Sequence, residues 1–284
     1  MPQDRGAYGV PIFTNHKTHM TKIKLAINGA AGRMGKRLIA LGSADPDFEI
    51  VSAIEYPQHP EIGRDAGVVA GVNELGVKLH PDVHEGTQVV IDFSVPQACE
   101  TIVQACTLQK IPLVVATTGL SAHQKELVSN AAEVVPVVWS PSMSMTVNLA
   151  MKLCSIAGGS LKHAPSGCDV EIIERHHRFK EDSPSGTALK FGDIIAGVMG
   201  QPHQRHGREG QVGQRPQNEI GYHAVRVGDN PGEHTIVFGL LGETLEISVK
   251  ASNRDCYAAG ALQAAKFVVH QKPGLYSMYD VLGL

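Results

Sequence analysis

The chain has 284 residues, of which 43% are apolar and 19% charged; this is enough to fill the cores of about two domains and too apolar for a disordered chain. Lys and Arg total 25 against 28 Asp and Glu, a net charge of -3, which argues against a protein that binds nucleic acid through its whole surface. No run approaches the roughly 18 apolar residues that a membrane-spanning helix needs.

Residues 1–21, MPQDRGAYGVPIFTNHKTHMT, carry no periodicity and no apolar segment of the kind a signal peptide requires, so a loose N-terminal extension is expected. From Lys22 the pattern becomes strand, glycine turn, helix. Strands are predicted over 23–28, 49–55, 88–93, 111–116 and 134–138, with a short one over 77–80. Helices are predicted over 33–43, 96–109 and 121–132, the last with Ser121 as N-cap. Near-continuous β-branched runs separated by helices imply a parallel sheet covered on both faces.

After Val147 the character changes. A helix is expected over 148–157, a strand over 168–174 and a helix over 186–198. Residues 200–219 show no clear period and are a candidate lid or partner-facing loop. Strands over 222–227, 234–240 and 245–249 are joined by short glycine turns, which suggests antiparallel pairing with one face covered. A helix over 255–270 places Ala258, Ala261, Leu262, Ala265 and Val269 on one apolar face. The tail, 274–284, holds enough Leu, Tyr and Val to dock.

The strongest short motif of the first half is Gly29-Ala30-Ala31-Gly32-Arg33-Met34-Gly35. It follows the first predicted strand and opens a helix. That is where backbone must approach a diphosphate and a helix N-terminus must offer free N–H groups. Glu55 ends the second strand, where a carboxylate accepts hydrogen bonds from a ribose diol and repels an added ribose phosphate. The neighbours Tyr56 and Pro57 offer no base, although Arg33 lies in the turn and Arg64 is within reach of a folded loop. This favours NADH, with NADPH possible. Phe93, and Thr117-Thr118-Gly119 after the next strand, sit at the same strand ends and are expected to shape a nicotinamide pocket.

In the second half, Arg175, His176, His177, Arg178 and Lys180 form a cation-rich patch just past a strand. Ser185, Gly186 and Thr187 then open a helix with N–H groups free to hold a carboxylate. The combination suits a small, multiply negative substrate. His176 and Lys180, four apart, would share a face if that stretch were helical; one could then donate a proton while the other holds a carboxylate or helps to donate. No metal is expected: the 14 His residues include His203-x-x-His206, but without a third converging ligand. The five cysteines form no C-x-x-C pair, and no G-x-S-x-G elbow marks a serine nucleophile.

These segments resemble the 4-hydroxy-tetrahydrodipicolinate reductases, also called dihydrodipicolinate reductases. The matching pieces are GAAGRMG at 29–35, IDFS at 91–94, TTG at 117–119, EIIERHHRFKEDSPSGTAL at 171–189, REG at 208–210, IGYHAVRVGDNPGEHTIVF at 220–238, ETLEISVKASNR at 243–254 and the terminal GLYSMYDVLGL. The likeness spans 22–284. The glycine turn alone would also suit another two-domain NAD(P) oxidoreductase or a nucleotide-sensing protein; HHRFK followed by PSGTA separates these.

The resemblance implies an α/β fold: a Rossmann-like dinucleotide-binding domain with a second α+β domain built on a mixed, largely open β-sheet. It implies a dinucleotide domain over 22–147 and 251–284 and a substrate and oligomerisation domain over 148–250. It further implies a cytoplasmic homotetramer that reduces a small cyclic dicarboxylate in lysine and diaminopimelate biosynthesis, with no nucleic-acid or membrane partner. By the same resemblance His176 is the general acid with Lys180 as its partner, and His177, Ser185, Gly186 and Thr187 contact the substrate carboxylates. Tyr56 and Val95 stand where the family often has Arg, which adds to the NADH expectation. Ala116 replaces a usual Gly, and Ser142-Met143-Ser144-Met145-Thr146-Val147-Asn148 departs from the usual interdomain segment.

Overall fold

A computed structural model describes residues 21–284; the expected extension lies outside the described residues, Thr21 apart. The first half alternates as its sequence period requires. Strand β1 (Ile23–Asn28) is buried over its last four residues and leads through the glycine turn into helix α1 (Arg33–Ala44). Strand β2 (Phe48–Ile54) follows, then a short helix α2 (Ala66–Ala70) that the periodicity does not announce. The Asp65 carboxylate caps it by accepting from the Gly67 and Val68 N–H groups. Next come β3 (Leu79–His80), β4 (Val89–Asp92), α3 (Pro96–Gln109), β5 (Leu113–Val115), α4 (Ala122–Ala131) and β6 (Pro136–Trp139). Helix α4 opens with a reciprocal capping box between Ser121 and Gln124.

Helix α5 (Met145–Leu161) starts earlier than expected, because the Ser144 hydroxyl accepts from the Val147 N–H and makes the N-cap. Strand β7 (Asp169–His176) alternates, burying Val170, Ile172, Glu174 and His176 on one face. Then follow α6 (Gly186–Met199), β8 (His203–His206), β9 (Glu219–Arg226), β10 (Glu233–Leu240), β11 (Glu243–Lys250), α7 (Asp255–Val268), β12 (Gly274–Tyr276) and α8 (Met278–Leu282).

Seven strands form a wholly parallel sheet in the order β12-β6-β5-β4-β1-β2-β3. One face packs Leu25, Ile27 and Ile91 against α1 and α7; the other packs Val90, Leu113 and Val115 against α3 and α4. The strand order reverses at β1, whose neighbours are β2 and β4. A ligand crevice opens at such a reversal, beyond the carboxyl ends of the strands.

The second sheet runs β11-β10-β7-β9-β8 and is mixed. Helices α5 and α6 cover one of its faces, packing Met151, Cys154, Phe191 and Ile195 against strand residues such as Phe238. Its strand pairing corrects one expectation. Only β10 and β11 form the antiparallel neighbours that the glycine turns suggest. Strand β9 is separated from β10 by β7 and runs parallel to β7. The β9–β10 connection passes over the end of β7, where the His177 N–H donates to Asn230 O and the Val227 N–H to His176 O.

The stretch 200–219 is also less loose than its composition suggests. His203–His206 is an edge strand parallel to β9. Beyond it, Arg208 donates to Glu171 and Glu219, and Arg215 to Asp169 and Glu171.

Candidate active site

The glycine turn closes on itself. The Gly29 and Ala30 N–H groups both donate to Ile54 O at 3.0 Å, and the Gly32 N–H donates to Gly29 O. A Cβ on Gly35 would lie 2.1 Å from Gly29 O, so helix and turn meet only because that atom is missing. Gly29 has φ +79° and packs against the Phe93 carbonyl, so the turn after β1 and the turn after β4 touch. Glu55 accepts from the Ala31 N–H at 3.1 Å and from the Tyr56 N–H at 3.2 Å. Its carboxylate therefore lies against the turn. Arg64 pairs with Glu61 instead of reaching the turn.

Behind Phe93 stands a buried polar network. Asn28 Nδ2 and Ser94 Oγ donate to Asp92 Oδ1, and the Ser94 N–H donates to Thr117 Oγ1 at 3.0 Å. These bonds tie the ends of β1, β4 and β5 together. Gly119 follows with φ +75°.

In the second sheet the period of β7 brings Glu174 and His176 to the buried face. Glu174 is 1% exposed. Its Oε2 lies 2.6 Å from His176 Nδ1, and Oε1 accepts from the Ser185 N–H at 3.0 Å. Both Arg226 Nη atoms donate to it, at 2.8 and 2.7 Å. Burial pushes the Glu174 carboxyl up, but the bonds from Arg226, His176 and Ser185 outweigh it and hold it below its ordinary value.

Burial pushes the His176 imidazole down, against the pull of Glu174, and the positive charges of Lys180 and Arg226 push the same way as burial. His234 is buried edge-on to His176, shares a hydrogen bond with Ser185 Oγ, and is pushed down to about 4, first by burial. Ser185 Oγ caps α6 by accepting from the Ala188 N–H. A Cβ on Gly232 would lie 2.8 Å from His176 Nε2.

The His176–Lys180 segment is a turn and not a helix, so the two side chains do not share a helical face. Lys180 folds back to Asp182 at 2.7 Å. The buried His177 Nδ1 has no partner among the described residues.

A cleft of about 270 Å³ joins the two halves. It is lined by Arg33 and Met34 of the turn, Phe93, Thr118, Ser142 and Met143, and by Thr187, Arg254 and Tyr257. The starts of α1, α6 and α7 reach it, and each helix N-terminus carries about half a positive charge. The cleft therefore suits anions. A narrower crevice continues from Thr187 and Tyr257 past Gly232 and His234. His176 itself lines neither space; its Nε2 packs behind Gly232, which lines the narrower crevice. Glu55, His177 and Lys180 do not line the cleft itself. Among the described residues no group of three or more His, Cys, Asp or Glu is placed to hold a metal.

Several residues of the site escape sequence reasoning. Glu174 has a readable signal: a carboxylate at the core-facing phase of a strand. Arg226 and His234 have only their partners in space. Arg254 and Tyr257 come from a helix whose return to the first sheet no local pattern announces.

Comparison with known proteins agrees with this architecture. Two family models match in tandem: "Dihydrodipicolinate reductase, N-terminus" over residues 23–143 and "Dihydrodipicolinate reductase, C-terminus" over 146–282. A 4-hydroxy-tetrahydrodipicolinate reductase of Rhodopirellula baltica is 57% identical over 270 residues, covering 92% of this chain and 96% of that protein. One from Geotalea daltonii is 42% identical, covering 92% and 99%. A dipicolinate-bound dihydrodipicolinate reductase from Paenisporosarcina shares the fold, with TM-score 0.74 and 23% identity over 92% of this chain and 99% of that one.

Proposed function

The chain belongs to the dihydrodipicolinate reductase family, and from that premise we propose which of its residues do the work. It is an NAD(P)H-dependent oxidoreductase that reduces dihydrodipicolinate to tetrahydrodipicolinate in lysine biosynthesis.

The turn without Cβ atoms at Gly29, Gly32 and Gly35 fits a diphosphate, and Arg33 and Met34 line the cleft beside it. In this reading Glu55 takes the adenosine ribose diol. Its carboxylate would repel an added phosphate, so NADH is preferred over NADPH. Phe93, Thr117, Thr118 and Gly119 form the nicotinamide end. The reduced nicotinamide, when bound, supplies the hydride.

The chain's own residues then hold the acceptor and supply the proton. The free N–H groups of Gly186 and Thr187, at the start of α6, hold one substrate carboxylate together with Ser185 and His177. His176 is the proton donor, through Nε2, with Lys180 as its partner. Burial disfavours the imidazolium. A dicarboxylate brings negative charge to the same place and favours it, so proton uptake accompanies substrate binding.

Residues 22–147 and 251–284 act as the dinucleotide unit and 148–250 as the substrate unit, and the cleft closes between them. The outer face of the second sheet, with exposed Ile173 and Val225, is the surface on which four copies pair. The five free thiols suit a reducing, cytoplasmic setting.

The observation that carries this reading is that one cleft is lined both by the glycine turn and by the start of α6. The test is an absorbance assay of NADH oxidation with freshly made substrate. Loss of turnover in a His176→Ala, Lys180→Ala double variant supports the assignment; rapid turnover in that variant removes it. NADH and NADPH run side by side settle the preference.

A further inference from the structure

We propose that Glu174, gripped by Arg226, is a positioning residue that sets the protonation of His176 and couples it to the carboxylate cradle at the start of α6. The inference rests on the reading of His176 as proton donor.

The geometry is specific. A carboxylate 1% exposed sits on the buried face of β7, two residues before His176, and bonds to His176, Ser185 and Arg226. Oε2 faces His176 Nδ1 at 2.6 Å, Oε1 accepts the Ser185 N–H at 3.0 Å, and Arg226 reaches both oxygens. An ionised carboxylate only accepts, so the proton between it and His176 is on Nδ1. This leaves Nε2, the atom that faces Gly232, as the position where a transferable proton is gained and lost. It also fixes the ring plane, because Nδ1 cannot turn away without leaving a buried charge short of a partner.

The same carboxylate occupies the Ser185 N–H. The next two N–H groups of α6, those of Gly186 and Thr187, stay open for a ligand. One residue thus orders both the donor and the cradle.

The charges around the imidazole come from four elements. Glu174 lies on its own strand, Lys180 in the following turn, Arg226 at the end of β9, and His234 on β10. Of these only Glu174 favours the imidazolium; Lys180 and Arg226 oppose it. Removing Glu174 and removing Arg226 should therefore shift the proton donor in opposite directions, which a role in packing alone would not do.

The test is the pH profile of kcat/KM at saturating NADH for Glu174→Gln, Glu174→Asp and Arg226→Gln, with NADH binding as the check on folding. Loss of the donor's proton produces the alkaline limb. In Glu174→Gln that limb should move down by about one pH unit, so activity above it falls about tenfold while activity below it stays within about threefold of wild type. Glu174→Asp should restore part of the shift. Arg226→Gln should move the limb up. A limb that stays in place in Glu174→Gln, whether activity is lost evenly or kept, overturns the inference. If Glu174→Gln does not bind NADH, the direction of the Arg226→Gln shift decides alone, and an unmoved or lowered limb overturns it. A His176→Gln control separates the two levels. If it abolishes turnover, the donor assignment stands and the profiles judge Glu174. If it retains turnover, the donor assignment itself falls and this inference falls with it.

Discussion

At Gly35 a single methyl group decides whether the turn can form, because it would lie 2.1 Å from Gly29 O and 2.7 Å from Ala30 backbone atoms. Neither neighbour is a flexible side chain that can move aside. Gly35→Ala should lose NADH binding measured by fluorescence titration, and should cost about 1–3 kcal/mol of stability in thermal or urea unfolding. Binding at wild-type affinity would show that the turn tolerates a side chain there. Glu55→Ala removes the acceptor of the Ala31 N–H and the charge opposing a ribose phosphate. It should narrow any NADH-over-NADPH preference by about tenfold in kcat/KM, the worth of roughly one charged hydrogen bond. Much of this is legible at the residue scale, since the glycines and Glu55 stand at fixed offsets from a strand. His176 is legible for the same reason. Its governor Glu174 is legible only once the period of β7 is followed to its end, and Arg226 not at all, because its partner lies 52 positions away.

Among the elements, the segment beyond β8 is held by a cluster of ion pairs centred on Glu171. Glu171 takes hydrogen bonds from Arg208, Arg215 and His223. Burial pushes the Glu171 carboxyl up, but these bonds prevail and hold it at about 2. Its pKa is thus lower folded than unfolded. The stabilisation is full above the usual carboxylate range and is lost as pH falls from about 4.3 towards 2. Glu171→Gln should lower stability by about 1–3 kcal/mol at neutral pH and flatten the fall in stability over that acid range. It should also expose residues 207–218 to limited proteolysis. Equal cleavage of variant and wild type would show that the clasp is not what orders the segment. Composition reads this stretch as a loop because Gly, Gln and Arg have no period, and the ion pairs that hold it join residues far apart in the chain. The misread pairing of β9 and β10 has a similar cause. A glycine turn implies adjacency, but six residues suffice to step over one intervening strand at about 4.8 Å spacing.

On the scale of the whole molecule, two sheets share one cleft, and the second sheet leaves its other face open. Ile173 and Val225 are each at least 40% exposed there, on the neighbouring strands β7 and β9. Ile173→Lys with Val225→Lys should convert the proposed tetramer to smaller species in sedimentation velocity while each chain stays folded; an unchanged sedimentation coefficient would move the proposed interface elsewhere. The parallel sheet and its crossover helices are legible from β-branched runs. The way the chain leaves the first sheet after β6 and returns through α7 and β12 is carried by packing between distant segments, and the sequence reveals it only through family resemblance.

The proposed reaction requires one cleft to serve both hydride and proton transfer. The most direct measurement is a crystal structure of the protein closed on NADH and a dicarboxylate analogue. The nicotinamide should lie within about 3–3.5 Å of the analogue's ring, whose carboxylate rests on the Gly186 and Thr187 N–H groups with His176 Nε2 on the same ring. A nicotinamide turned away from the start of α6, or an analogue bound outside the cleft, would contradict it.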